Sequence, residues 1–276
     1  MVRVGVVGHV EWVQFAVVER VPAAGEIVHA SATFAEPAGG GAVAVVQLAR
    51  LAGSAVFLTA LGDDDAAAGV ARALRERFGV EVHAAARPAP QRRTFTFLDA
   101  AGERTITVLG ERIVPVRSDP LPWEALAELD GIYLTGGDAG AVRAARAASV
   151  LVATPRAMGA LADSGVALDV LVRSASDPGE RYEPGMLDPA PRWVVSTRGE
   201  QGGSWTGETE GSWEAIPLPG PAVDAYGCGD SFAAALAYGL GAGMALPEAI
   251  DLAARCGAAC LTGRGPYGAQ LSLDGS

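Results

Sequence analysis

The sequence predicts an α/β fold, a mainly parallel sheet covered by helices. Three observations carry that expectation. Short β-branched runs alternate with alanine-rich stretches of helical period; no proline-rich linker, repeat or low-complexity tract divides the 276 residues; and half of the chain is hydrophobic, enough for one large core. One domain over residues 1–276 is therefore expected.

The strands are expected at 3–7, 55–60, 131–135, 150–153, 170–173 and 193–197, where β-branched and apolar residues cluster. Helical patterns fill 42–51, 65–78, 139–148, 231–240 and 247–261. Asp63 and Asp64 stand just before one of these helices, where carboxylates cap free amides and face the positive dipole end. Two stretches break the rhythm: 26–36, and 91–111, which reads as a hairpin turning at 100–102. Such segments predict a small sheet standing off the main one, with lid segments near 10–36 and 91–111.

Charge narrows the function classes. With 21 basic against 32 acidic residues the net charge is −11, which repels phosphate backbones and anionic membranes, so neither nucleic acid nor membrane is an expected partner. Every basic side chain other than histidine is an arginine; without lysine, Schiff-base chemistry and a P-loop lysine are excluded. The three cysteines, 228, 256 and 260, form no paired metal-ligand spacing with the histidines and no disulfide scaffold, which fits a reducing cytoplasm. The longest uncharged run, 231–247, is shorter than the ~20 apolar residues of a membrane helix.

The strongest chemical signal is DAYGCGDSFAAALAYGL at 224–240, two glycines and an aspartate immediately before a helix of small residues. Gly227 and Gly229 let backbone amides close around an anion, and the helix start adds unsatisfied amides and a positive dipole end. Asp230 stands at the mouth of this cradle, where a carboxylate can take the proton of an attacking hydroxyl. Taken alone, the string also suits an ordinary glycine turn with an aspartate cap.

DAYGCGDSF resembles the C-terminal signature of PfkB carbohydrate kinases, DTxGAGDxF, and further segments match that family in order: VGVVGHVEW, AGGGAVAVVQLARLAG, TALGDD, VVSTRGEQGGSW and AARCGAACLTGRGPYG. The resemblance implies a ribokinase-like three-layer α/β/α sandwich with a β-lid, and a kinase that moves the γ-phosphoryl of ATP, with Mg²⁺, onto a hydroxyl of a sugar or sugar-like molecule. It makes Asp230 the base and the amides of Gly227, Cys228 and Gly229 the anion hole, with Asp224 organising that loop beside the nucleotide. Thr197, Arg198, Gly199 and Gly202 flank the nucleotide, Gly40 and Gly41 approach the acceptor's hydroxyls, and the last of the matching segments lies near the adenine.

Departures from the family pattern fall on the acceptor side. Val13 stands where the family has an aspartate gripping sugar hydroxyls, with His9 and Glu11 nearby as substitutes, and Val43 replaces an asparagine. The family's NxxE segment, which organises magnesium and phosphate, corresponds to Ser174 and Asp177, leaving Asp177 as the metal-side carboxylate. These changes keep two alternatives open: a catalytically weak nucleotide- or metabolite-binding relative, and a nucleoside kinase. The acceptor class thus spans sugars, sugar phosphates and nucleoside-like molecules, and lid strands with free edges would gain from pairing in a homodimer. Gly263, Gly265 and Gly268 spell GxGxxG after the last helical pattern, with no βαβ unit to follow, and read as a loop. Cys228 reads as a small filler, Cys256 and Cys260 as buried, and the arginines at 92, 93, 104 and 112 as lid charges facing solvent or an anionic acceptor.

Overall fold

A computed structural model describes residues 1–273. Along the chain run β1 (Val4–Val7), β2 (Glu11–Val17), β3 (Ala32–Ala38), α1 (Gly40–Ala52), β4 (Val56–Leu61), α2 (Asp65–Arg72), β5 (Glu81–Ala86), β6 (Arg93–Leu98), β7 (Arg104–Leu109) and β8 (Gly131–Leu134). There follow α3 (Ala139–Ala145), β9 (Val150–Ala153), α4 (Met158–Ser164), β10 (Val170–Ser174), β11 (Trp193–Thr197), β12 (Gly203–Gly207), β13 (Gly211–Trp213), α5 (Cys228–Gly241) and α6 (Leu246–Leu261).

Nine strands form the main sheet in the order β13-β12-β11-β10-β9-β8-β1-β4-β5. All neighbours from β11 to β5 pair in parallel, and β12 and β13 add an antiparallel edge. Alternation along the strands splits the core in two. Val4, Val6, Phe57, Tyr133 and Val152 face one layer with residues of α1, α5 and α6, while Val7, Leu58, Ile132, Leu134 and Leu151 face the other with residues of α3 and α4. Each such side chain contributes roughly 1.5–3 kcal/mol on full burial, and strands covered on both faces must read as continuous apolar runs. That is why they were legible.

The chain builds the sheet outward from β1 first toward β5 and then, from β8, in the other direction. The direction reverses between β1 and β8, and ligands of open parallel sheets bind beyond the carboxyl ends of the strands at such a switch. His9 follows β1 and Thr135 follows β8, so both stand at that point.

The second sheet has four strands in the order β3-β2-β6-β7, antiparallel at its outer pairs and parallel between β2 and β6. The β6–β7 hairpin turns as the sequence predicts: Asp99 Oδ1 accepts from the amides of Ala101 and Glu103 at 2.9 and 3.0 Å, and Gly102 takes a φ of 79°. Phe15 of β2 stacks on Phe34 of β3 with ring centroids 4.6 Å apart and meets Tyr226 edge-on at 5.2 Å, which fastens this sheet to the loop ahead of α5. Edge strand β7 leaves Ile106, Val108 and Leu109 exposed.

Some elements differ from expectation. Strands β5, β12 and β13 and the short α4 carry too few consecutive apolar residues to announce themselves, α3 stops three residues early in a turn, and α2 ends in a wider π-type turn over Ala73–Arg77. Of the two aspartates ahead of α2, Asp64 is the cap, accepting from the Ala67 amide at 3.0 Å. Among the described residues no helix is long and apolar enough to cross a membrane.

Candidate active site

The loop ahead of α5 is shaped by Asp224. Its carboxylate is buried and fully occupied: Oδ1 accepts from the Tyr226 amide and Oδ2 from the Gly265 amide, each at 2.9 Å. Asp224 therefore ties the loop to the GxGxxG turn after α6, itself a loop as its position predicts, and presents no oxygen to a nucleotide. Gly227 follows with φ 83°, a conformation that L side chains resist, and a Cβ there would lie 2.8 Å from Val43 Cγ1. Val43 is fully buried beneath the loop, which explains its apolar character where the acceptor side was expected to need an amide.

At the start of α5 the amides of Cys228, Gly229 and Asp230 have no acceptor among the described residues, and nothing lies within 4 Å of where a Cβ on Gly229 would stand. Unsatisfied amides at the positive end of a 14-residue helix, with open space before them, have the chemistry to cradle an anion. Cys228 contributes through its backbone alone. The neighbouring Cys260 thiol, together with burial, holds the Cys228 thiol protonated far above the usual range.

Asp230 sits in the first turn of α5, and its Oδ1 lies 2.8 Å from where a Cβ on Gly40 would be. The starts of α1 and α5 thus meet at this carboxylate. Burial pushes its pKa up to about 7; the negative charge of Glu180 is the next cause, Arg104 and Arg156 pull the other way, and Glu11 adds a smaller upward push. A carboxylate poised near neutral pH, beside open space and an anion cradle, is equipped to accept a proton in use.

The neighbouring wall is built from β1, β2 and the segment after β7. Gly41 packs so closely that a Cβ would lie 2.4 Å from the His9 carbonyl oxygen, and His9 Nε2 stands 3.3 Å from where a Cβ on Gly39 would be. His9 Nδ1 takes a hydrogen bond from Arg112 Nη2 at 2.8 Å; a guanidinium only donates, so Nδ1 is unprotonated and the ring proton is on Nε2. Burial first, then Arg112, Arg92 and Arg156, hold the imidazole neutral. Glu11 is buried, 7% exposed, and its Oε1 is 2.9 Å from Arg92 Nε; burial raises its pKa and the two arginines offset part of the rise. Val13 points into the second sheet's core with Phe15 and Tyr226, so it offers nothing to a ligand.

Asp177, the expected metal-side carboxylate, is held by Arg156 and accepts the Gly179 amide at 2.8 Å. The acid whose charge weighs most on Asp230 is Glu180, which also accepts from the Ser174 amide at 2.7 Å and faces Arg156 Nε at 3.4 Å. Sequence reading missed Glu180, although DPGE at 177–180 offers the NxxE spacing again, three residues further along. It also missed Tyr226, whose hydroxyl accepts from the Gly39 amide at 3.3 Å, and Arg156. Arg104 reaches in from β7, donating to the Ala225 carbonyl at 2.6 Å and lying 5.9 Å over the Tyr226 ring.

The segment expected to flank a nucleotide joins β11 to β12. Thr197 ends β11, Arg198 donates to Ser204 Oγ at 3.3 Å, and Gly199 is open on its Cβ side. Gly202 is a packing glycine, since a Cβ would lie 2.1 Å from the Trp213 carbonyl oxygen. Among the described residues no three His, Cys, Asp or Glu side chains form a cluster that could hold a metal ion alone.

Sheet order, second sheet and a polar site at the switch point define a ribokinase-like α/β fold. A family model of pfkB family carbohydrate kinases matches residues 1–179 and 180–272, and the chain belongs to that family. Among solved structures, ribokinase from Arabidopsis thaliana complexed with ribose and ATP is 21% identical, with 96% of this chain and 94% of that one covered at a TM-score of 0.75. Ribokinase from Thermotoga maritima is 19% identical, with 99% and 97% covered and a TM-score of 0.77. Phosphofructokinase-2 from Escherichia coli in complex with substrates and products is 16% identical, with 98% and 96% covered and a TM-score of 0.74. No curated protein matches the chain.

Proposed function

We propose that this protein is an ATP-dependent kinase that phosphorylates a hydroxyl of a sugar or sugar-like molecule, with Asp230 as the general base. The observation that carries the reading is the Asp230 carboxylate, raised to about 7 and set where the starts of α1 and α5 meet. In that role Asp230 takes the acceptor hydroxyl's proton as its oxygen attacks the γ-phosphorus and the bond to the ADP oxygen breaks. The amides of Cys228, Gly229 and Asp230 stabilise the charge on the transferring group, a task that needs no lysine. The printed ligands of the solved relatives, ribose and ATP in one and ADP in another, support a nucleotide and a sugar as the substrates here.

Gly40 and Gly41 let α1 approach the acceptor, His9 Nε2–H and Glu11 face it from the β1 side, and Thr197, Arg198 and Gly199 line the nucleotide's path. Magnesium neutralises phosphate charge when bound. A cluster of protein ligands is not required for it, since magnesium keeps waters and is held largely by substrate phosphates. Glu180 suits a metal-bound water better than Asp177, because Arg156 holds Glu180 more loosely, at 3.4 Å, and the charge of Glu180 reaches Asp230. We read the second sheet as a lid, because Arg104 and Phe15 join it to the loop of the anion cradle, and the exposed β7 edge as the place where two lids would pair.

The test is ADP release over a panel of sugars, sugar phosphates, nucleosides and polyols, with Mg·ATP binding followed by melting temperature. A ligand that binds the folded state alone raises the melting temperature by mass action. No shift at millimolar Mg·ATP and no turnover across the panel would overturn the reading.

A further inference from the structure

We propose that the acceptor carries an anionic group, a carboxylate or a phosphate monoester, and that Arg112 with Arg156 seats it; this rests on the kinase reading of Asp230. A cavity of about 220 Å³ opens beside the acceptor wall, lined by Arg112, Val114, Gly136, Gly137, Arg156 and Gly159 among others. At about 30 Å³ per water it has room for a small anionic group with its hydration.

Arg112 is the reason to put an anion there. It is partly buried, and each of its hydrogen bonds ends on an uncharged acceptor: the Thr135 carbonyl at 2.5 Å, the Arg156 carbonyl at 2.9 Å and His9 Nδ1 at 2.8 Å. Among the described residues it has no carboxylate partner, whereas Arg92 has Glu11, and Arg156 has Asp177 and Glu180. Burial lowers its pKa and the neighbouring charges of Arg92 and Arg156 act in the same direction, with Glu11 a partial offset. A desolvated guanidinium is costly when unpaired, and its planar fork matches carboxylate and phosphate oxygens.

Position ties the cavity to the reaction. Arg112 holds His9, His9 faces Gly39, and the next residue, Gly40, faces Asp230. A molecule with its anionic end on Arg112 and a hydroxyl at Asp230 would thus lie along the switch point between β1 and β8. The nucleotide's phosphates have their own site in the amides at the start of α5.

Two measurements test this. With ADP saturating and ionic strength held with chloride, inorganic phosphate and gluconate are titrated while the melting temperature is followed in wild type, Arg112→Met and Gly136→Asp. The last keeps Arg112 but sets a carboxylate beside it, since a Cβ at Gly136 lies 3.4 Å from Arg112 Nη2; it serves if Arg112→Met does not fold. At least one anion is expected to stabilise the wild type and neither variant. Turnover is then compared over sorbitol, gluconate and sorbitol 6-phosphate. A charged member is expected to exceed sorbitol in kcat/KM, and the variants to cut that ratio about 10- to 100-fold. Preference for gluconate assigns a carboxylate, and preference for the ester a phosphate. Equal stabilisation of wild type and variants, no anion effect at all, or a preference unchanged in the variants overturns the proposal. Failure of the kinase reading looks different, with no response to ADP and no turnover, and the anion titration still decides this site.

Discussion

Asp230 Oδ1 lies 2.8 Å from the point a Cβ on Gly40 would occupy, so the carboxylate and the glycine exclude each other's growth. Gly40→Ala should fold, because its φ is not in the left-handed region and the clash is with the tip of a side chain that can turn. It should also displace that tip from the hydroxyl. Misplacing a reacting group by an ångström costs up to about 100-fold in rate, so kcat should fall roughly 10- to 100-fold with the melting temperature nearly unchanged. Steady-state kinetics and a melting curve check this, and unchanged kcat would show that the carboxylate does not act from that position.

Asp230→Asn tests the base directly, since Asp230 makes no side-chain cap to α5 that the change could disturb. The amide keeps the size of the side chain but accepts no proton at neutral pH, so kcat should fall by about 10²–10⁴ while Mg·ATP binding persists. Stability should respond in a set direction. The folded pKa, about 7, is above the unfolded value near 3.8, so the wild type carries a stabilising contribution that is full below pH ~4 and lost as pH rises through 7. The asparagine variant lacks this dependence and should be the more stable protein at pH 8, by roughly 1–3 kcal/mol, with the difference shrinking toward pH 4. Urea melts at the two pH values read it directly.

The two cradle glycines should behave differently. Gly227→Ala meets both a φ of 83° and Val43 Cγ1 at 2.8 Å, so a cost of roughly 1–3 kcal/mol in stability is expected together with loss of turnover. Gly229→Ala meets nothing within 4 Å and should fold normally. Its methyl stands in the space before the free amides, so it should weaken nucleotide binding. Melting curves with and without Mg·ATP distinguish the two outcomes.

What the sequence made legible follows from how local each signal is. Strands β1, β8, β9, β10 and β11 are apolar on both faces and announce themselves, as does the glycine turn with its aspartate, because turn, free amides and carboxylate lie within four residues. The neighbouring wall did not, since His9, Arg92, Arg112, Thr135 and Arg156 meet only through pairing of β1 with β8, β8 with β9 and β2 with β6. Asp177 and Glu180 show the limit most sharply. Both carry carboxylates at a suitable spacing and both meet Arg156, and only its closer hold on Asp177 sets them apart.

Glu180→Gln tests the electrostatic coupling that raises the Asp230 carboxylate. If Asp230 must be ionised to act, kcat/KM with a non-titrating acceptor should climb as pH rises and level off above its pKa, about 7 in the unliganded protein. The negative charge of Glu180 is, after burial, the main cause of that elevation. Glutamine keeps an oxygen for the Ser174 amide, so the local turn should survive, but it removes the like charge and leaves Arg156 less neutralised. Both changes favour the ionised carboxylate, and the acid limb should move to lower pH. The plateau height is a separate readout, because loss of a carboxylate that holds a metal-bound water would lower it without moving the limb. An acid limb that stays in place or moves upward would show that Glu180 does not act on Asp230 in solution.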